Sequence, residues 1–170
     1  MRHIISVLMQ NEAGALARLS GMFSSRGYNI ESLSVAATDE PSMSRLTLVT
    51  TGDDAVIDQI TKQLNKLIDI VEIDDFSGKD HIECELLLIK LEVTASNARS
   101  VIECVRRYRG LVLDESQQTR TVQVSGSGLE VSDFVAEVGK LTKILELVRS
   151  GVAAIEAGAH GMRSPDTQAA

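Results

Sequence analysis

The 170-residue sequence contains no tryptophan, and aromatic residues make up only 3% of it. Any core must therefore be aliphatic, and a nucleic-acid surface would lack the rings on which bases stack. Positive charge is also scarce: 24 acidic residues outnumber 17 Lys and Arg, for a net charge of −7. Nucleic-acid binding needs a basic face for the phosphates, so that class is excluded. No basic amphipathic stretch is present and no apolar run reaches the roughly 20 residues of a membrane span, so no membrane association is expected. Met1-Arg2-His3 leads directly into a short segment interrupted by Ser6 and Gln10. Such a start is too short and polar for a secretory signal, and a cytoplasmic location is expected.

Chemistry-bearing residues are equally sparse. Cys84 and Cys104 are far apart and form no CxxC, so buried, reduced thiols are expected rather than a disulfide or a metal site. His3, His81 and His160 share no helix face or ligand spacing, and no metal site is expected. Asp53-Asp54 and Asp74-Asp75 fall at element ends, where capping and solvation account for them. Ser24-Ser25 has no base nearby in sequence, and Arg106-Arg107 with Arg109 reads as a solvated face. Nothing supplies nucleophile, base and oxyanion donors together, so no catalytic residue is expected. With 44% hydrophobic residues and a mean hydropathy of +0.05, the chain reads as a soluble globular protein.

What is present is concentrated in residues 11–33, NEAGALARLSGMFSSRGYNIESL. An apolar strand over 4–9 ends at Gln10-Asn11-Glu12. Leu16, Leu19 and Phe23 then recur at helical spacing with Ala15 and Met22 beside them, which predicts a helix over 14–25. Asn11 or Glu12 stands where a cap is expected, and Gly14 lies in the first turn, where the absent Cβ permits a close approach to the backbone. A helix start offers unpaired N–H groups and the positive end of the dipole, a natural seat for a small carboxylate. Arg26-Gly27 stops the helix, and Tyr28-Asn29-Ile30 opens the next strand.

Strands are predicted over 30–37 and 45–51, separated by the turn chemistry of 38–42. Gly52-Asp53-Asp54 caps a helix whose apolar face is Val56, Ile57, Ile60, Leu64 and Leu67, and a strand over 67–74 follows. The order β-α-β-β-α-β is that of a ferredoxin-like fold, with two helices on one face of an antiparallel sheet. The pattern then repeats: strands at 83–93, 111–113 and 119–125, helices at 97–107 and 131–141, and a last strand within 144–155. The expected fold is α+β, two tandem ferredoxin-like domains over 1–76 and 83–158, with a linker at 77–82 and a flexible tail at 159–170. Val7-Leu8-Met9 and Leu86-Leu87-Leu88-Ile89 are apolar on both strand faces, although helices cover only one. A second copy of the chain is the expected cover, which predicts at least a homodimer.

The segment N-E-x-G-A-L-x-R followed by R-G-Y-N-I-x-S-L, with Ser44-Arg45-Leu46-Thr47, resembles the regulatory (small) subunits of acetolactate synthase, also called acetohydroxyacid synthase. The resemblance extends at lower density to about Val152, through Arg109-Gly110, Asp114, Thr121-Val122-Gln123 and Arg149-Ser150-Gly151. It implies that the first domain is an ACT domain, which binds amino acids between paired copies. It further implies a non-catalytic subunit that binds the large catalytic subunit, activates it and makes it sensitive to valine. Thiamine diphosphate, Mg²⁺ and FAD would belong to that partner and no cofactor to this chain. By similarity, Asn11, Gly14, Ala15 and Leu16 form one side of the effector pocket, and Asn29 and Ile30 of the neighbouring subunit form the other. A stand-alone ACT-type amino-acid sensor acting on another partner is the alternative.

Overall fold

A computed structural model describes residues 1–159, 161 and 162. The described chain contains two repeats of β-α-β-β-α-β. The first comprises β1 (Arg2–Gln10), α1 (Ala15–Ser25), β2 (Ser32–Ala37), β3 (Met43–Thr51), α2 (Asp54–Leu64) and β4 (Ile70–Asp75). The second comprises β5 (His81–Glu92), α3 (Ala98–Arg107), β6 (Leu111–Glu115), β7 (Thr119–Gly126), α4 (Gly128–Leu141) and β8 (Ile144–Glu156). Each repeat forms a four-stranded sheet, in the orders β2-β3-β1-β4 and β6-β7-β5-β8, with the pairings β1–β3, β1–β4, β2–β3, β5–β7 and β6–β7 all antiparallel. This is the architecture that the periodicity predicts.

The chain divides into two compact units, the first holding Met1–Ile82 together with the segment from Ala153, the second Glu83–Val152. His81 and Ile82, expected in the linker, already belong to β5. The last residues of β8, expected within the second domain, group with the first unit. Apart from 159, 161 and 162, the tail expected to be flexible lies outside the described residues, as does His160.

In the first unit, Ile5, Val7 and Met9 of β1 meet Leu46 and Leu48 of β3 beneath Ala15, Leu19, Met22 and Phe23 of α1 and Ile57, Ile60 and Leu64 of α2. Leu16 shares the helical spacing but points outward and is 38% exposed. α2 begins as its sequence predicts, with the Asp53 side chain accepting from the Val56 N–H at 2.8 Å. It stops at Leu64, so Leu67 packs on the core from the following turn rather than from helix or strand.

The second unit repeats this arrangement with Leu87, Ile89 and Leu91 of β5, Val101, Cys104 and Val105 of α3, and Val131, Phe134 and Val138 of α4. α4 starts at Gly128, earlier than its apolar spacing indicates, because Ser127 and Glu130 form a reciprocal capping box. The S-x-x-E pattern was the available signal; such a cap contributes about 1 kcal/mol.

Two expectations about exposure are corrected. The second face of the first sheet, taken to await another copy, is covered within a single chain. Ile4, Leu8 and Val49 on that face are buried, and the Ala154 N–H reaches the Thr47 hydroxyl at 3.4 Å. The cover lies 107 residues from Thr47 in sequence, so no local pattern announces it. On the second sheet, Leu86 and Leu88 remain 38% exposed. Cys84, expected to be a buried thiol, is exposed because β5 alternates and places it on the outer side with them; Cys104 is buried and both thiols are free.

Candidate functional site

The start of α1 differs from the residue-level expectation. Neither Asn11 nor Glu12 caps it. Gly14 is itself the N-cap, at φ +87°, with no side-chain cap and no acidic residue in the first turn. That left-handed conformation explains why glycine stands there. Asn11 is committed elsewhere: its side-chain amide donates to the Pro41 carbonyl at 3.0 Å, and its N–H to the Ser42 carbonyl at 2.7 Å. The Ala15 N–H donates to the Glu12 carbonyl at 3.1 Å, and its methyl group lies in the core. The N–H groups of Leu16 and Ala17 have no partner among the described residues. Both donors are thus unspent, and Leu16 and Ala17 are exposed residues.

Asn29 and Ile30 lie at the other end of the same helix. α1 is 11 residues long, so about 16 Å separates its ends. The sheet register agrees: Ser32 shares a row with Val49 and Ile4, whereas Gly14 follows the far end of β1. Asn29 is exposed, and its backbone carbonyl accepts from the Thr50 hydroxyl at 2.6 Å; Ile30 is half-buried against the core. Within one chain, the six expected residues therefore form two half-sites rather than one pocket.

Two features that sequence reasoning missed adjoin these half-sites or the same sheet. Arg18, one turn into α1, grips the buried Asp69 through Nε (2.6 Å) and Nη2 (2.7 Å). Asp69 is fixed in turn, since its carbonyl accepts the Gln10 N–H at 2.8 Å. The hydrogen bonds from Arg18 hold the Asp69 carboxyl below its ordinary value of 3.8. A depressed folded pKa makes this contribution to stability complete above the ordinary carboxylate range and lost as pH falls through the folded value. The thermal midpoint should therefore fall on acidification below about pH 5, and Asp69→Asn should lack that part of the fall. Thermal unfolding of both proteins across this range measures it; parallel curves would refute the assignment.

On the other face of the sheet, Arg45, Glu72, Asp74, Phe76, Ile155 and Glu156 line a cavity of about 570 Å³. Arg45 spends its Nε on the Ser6 hydroxyl at 2.8 Å, and burial pulls its guanidinium below its ordinary value against the attraction of Glu72 and Asp74.

One convergence of Ser, His and Asp also forms. His3, close to the start of the sequence, is buried, with Nδ1 2.6 Å from the Ser77 hydroxyl, which is bonded to Asp75. Here the hydroxyl links imidazole and carboxylate. A nucleophilic relay needs the imidazole in the middle, so the order is wrong for catalysis. Among the described residues, no three His, Cys, Asp or Glu side chains are grouped so as to hold a metal ion.

Comparison with known proteins bears on both units. Residues 5–72 match the family described as AHAS small subunit-like ACT domain, and residues 84–158 match the small subunit of acetolactate synthase. The chain is 42% identical over 163 residues to the acetolactate synthase isozyme 3 small subunit of Escherichia coli K12, covering 96% of this chain and all of that one. The chain belongs to the acetolactate synthase small-subunit family. A further relative, the acetolactate synthase small subunit of Mycolicibacterium smegmatis, is 38% identical over 160 residues, 94% of each chain. The crystal structure of the small subunit from Thermotoga maritima superposes with a TM-score of 0.85 at 27% identity, covering 94% of this chain and 99% of that one. Family membership makes the first unit an ACT domain, so the uncapped start of α1 sits in a fold already tied to this family rather than in an isolated helix.

Proposed function

We propose that the chain is the non-catalytic regulatory subunit of an acetolactate synthase in branched-chain amino acid biosynthesis. It binds and activates the large catalytic subunit and confers feedback inhibition by valine. The observation that carries the reading is the pair of half-sites at opposite ends of α1. A ligand at the start of α1 can meet Asn29 and Ile30 only if they come from a second copy.

The sheet edge supplies a way to bring them. β2 is an edge strand with Val35, Ala36 and Ala37 exposed, and its free side can pair with the same strand of another copy. Antiparallel pairing of two β2 strands sets the Ser32 end of one beside the Ala37 end of the other. Ala37 pairs with Ser44, which pairs with Met9, next to the end of β1 from which the chain enters α1. The two-fold thus carries Asn29 and Ile30 of one copy toward Gly14 of the other. The effector carboxylate would take the N–H groups of Leu16 and Ala17, its ammonium group the Asn29 side-chain carbonyl, and its aliphatic body Leu16 and Ile30. Asn11 and Ala15 shape the loop and first turn around it.

In this reading, thiamine diphosphate, Mg²⁺ and FAD sit on the catalytic partner, and the complex works in the cytoplasm. The test is acetolactate formation by the cognate large subunit as this chain is titrated in and valine is then added. Activation followed by inhibition is the expected result. Absence of activation would overturn the subunit reading in favour of a stand-alone amino-acid sensor, and activation without inhibition would remove valine as the effector.

A further inference from the structure

Arg18 reaches back toward the N-terminal end of its helix, as helical side chains do. A cation there opposes the helix dipole, whose positive end lies at the same place. Asp69 offsets this conflict on one side only. A guanidinium offers two edges suited to a carboxylate, one made by Nε and one Nη, the other by both Nη atoms. Asp69 occupies the first edge with bonds of 2.6 and 2.7 Å. Nη1 bonds to nothing among the described residues, and it lies 3.0 Å from where a Cβ on Gly14 would stand. The Arg18 side chain is 46% exposed while that of Asp69 is 6% exposed, so the free edge faces outward from a buried anchor.

We propose that Arg18 is an effector-binding residue: its free Nη edge, aimed past Gly14 by the Asp69 fork, takes the α-carboxylate together with the N–H groups of α1. The inference rests on the effector reading above and sharpens it. It gives the site a fixed positive charge, and so a reason to prefer a free amino acid over an uncharged or amidated analogue. Gly14 acquires a second role, because any side chain there would stand between Arg18 and the ligand. Glu12, whose charge also favours ionised Arg18, lies before the helix and adds no bond to Nη1.

The test is calorimetric titration of the full chain with L-valine and with L-valinamide, which lacks the carboxylate. Asp69→Asn, whose amide oxygen can still accept from Arg18 and hold its direction, should bind valine within a few-fold of the parent. R18Q combined with D69N, which avoids stranding a buried carboxylate, should lose about tenfold or more for valine while valinamide binds no more weakly than before. An equal loss for both ligands, or the same loss in D69N alone, would reduce Arg18 to a structural tie and overturn the proposal. Unchanged valine affinity in the double variant would also overturn it, while leaving the effector reading standing if Gly14→Asp still abolishes binding. No valine binding by the parent would refute both.

Discussion

Gly14→Asp is expected to raise the valine concentration for half-inhibition by at least about tenfold, equivalent to about 1.4 kcal/mol of lost binding. Two effects act together. The backbone at Gly14 has φ +87°, so any side chain is strained there, although aspartate tolerates the left-handed region better than most residues. The larger effect is electrostatic. A Cβ built on Gly14 lies 3.0 Å from Arg18 Nη1, so the new carboxylate can fold onto the guanidinium and the first-turn N–H groups. It would thereby occupy the seat proposed for the effector's own carboxylate. The rate of the complex without valine serves as the check on folding and assembly. Unaltered valine sensitivity would remove the start of α1 as the effector site.

Phe134→Ala is expected to destabilise the second unit by about 3–5 kcal/mol. Phe134 is fully buried at the centre of that core, edge-on to Tyr108 with ring centroids 5.3 Å apart. Apart from Tyr108, the residues of that core are aliphatic side chains and Cys104, each smaller than the ring removed. The Tyr108 hydroxyl, held to Glu137 at 3.1 Å, keeps its ring from collapsing inward. Since small units are marginal to begin with, the loss approaches their whole stability, and the melting midpoint should fall by more than about 10 °C. The first unit has its own core and, in the reading above, the effector half-sites. Valine binding should therefore persist at temperatures where the second unit has melted. Calorimetric unfolding with and without valine measures this; a small shift would show that the Phe134 site relaxes, and simultaneous loss of both units would show that they unfold as one.

The element order, the capped start of α2 and, Leu16 and Leu67 apart, the inward faces of α1 and α2 were legible in the sequence. Each depends on residues within one or two turns of one another, where periodicity and capping chemistry act. The motif around Gly14 was legible for the same reason, and the family matches over residues 5–72 and 84–158 show the membership to which it points. Other features were decided only when distant segments met. Arg18 and Asp69 are 51 residues apart, His3 and Ser77 are 74 apart, and Thr47 and Ala154 are 107 apart. Each of these residues alone reads as an ordinary surface or strand residue. The apolar second face of β1 was visible in the sequence, but a strand pattern records only that a face must leave water. It does not say whether this chain or another supplies the cover. The same holds for the candidate site: its residues were all written in the first 30 positions, yet the straight length of α1 separates them into two half-sites that a single chain does not join.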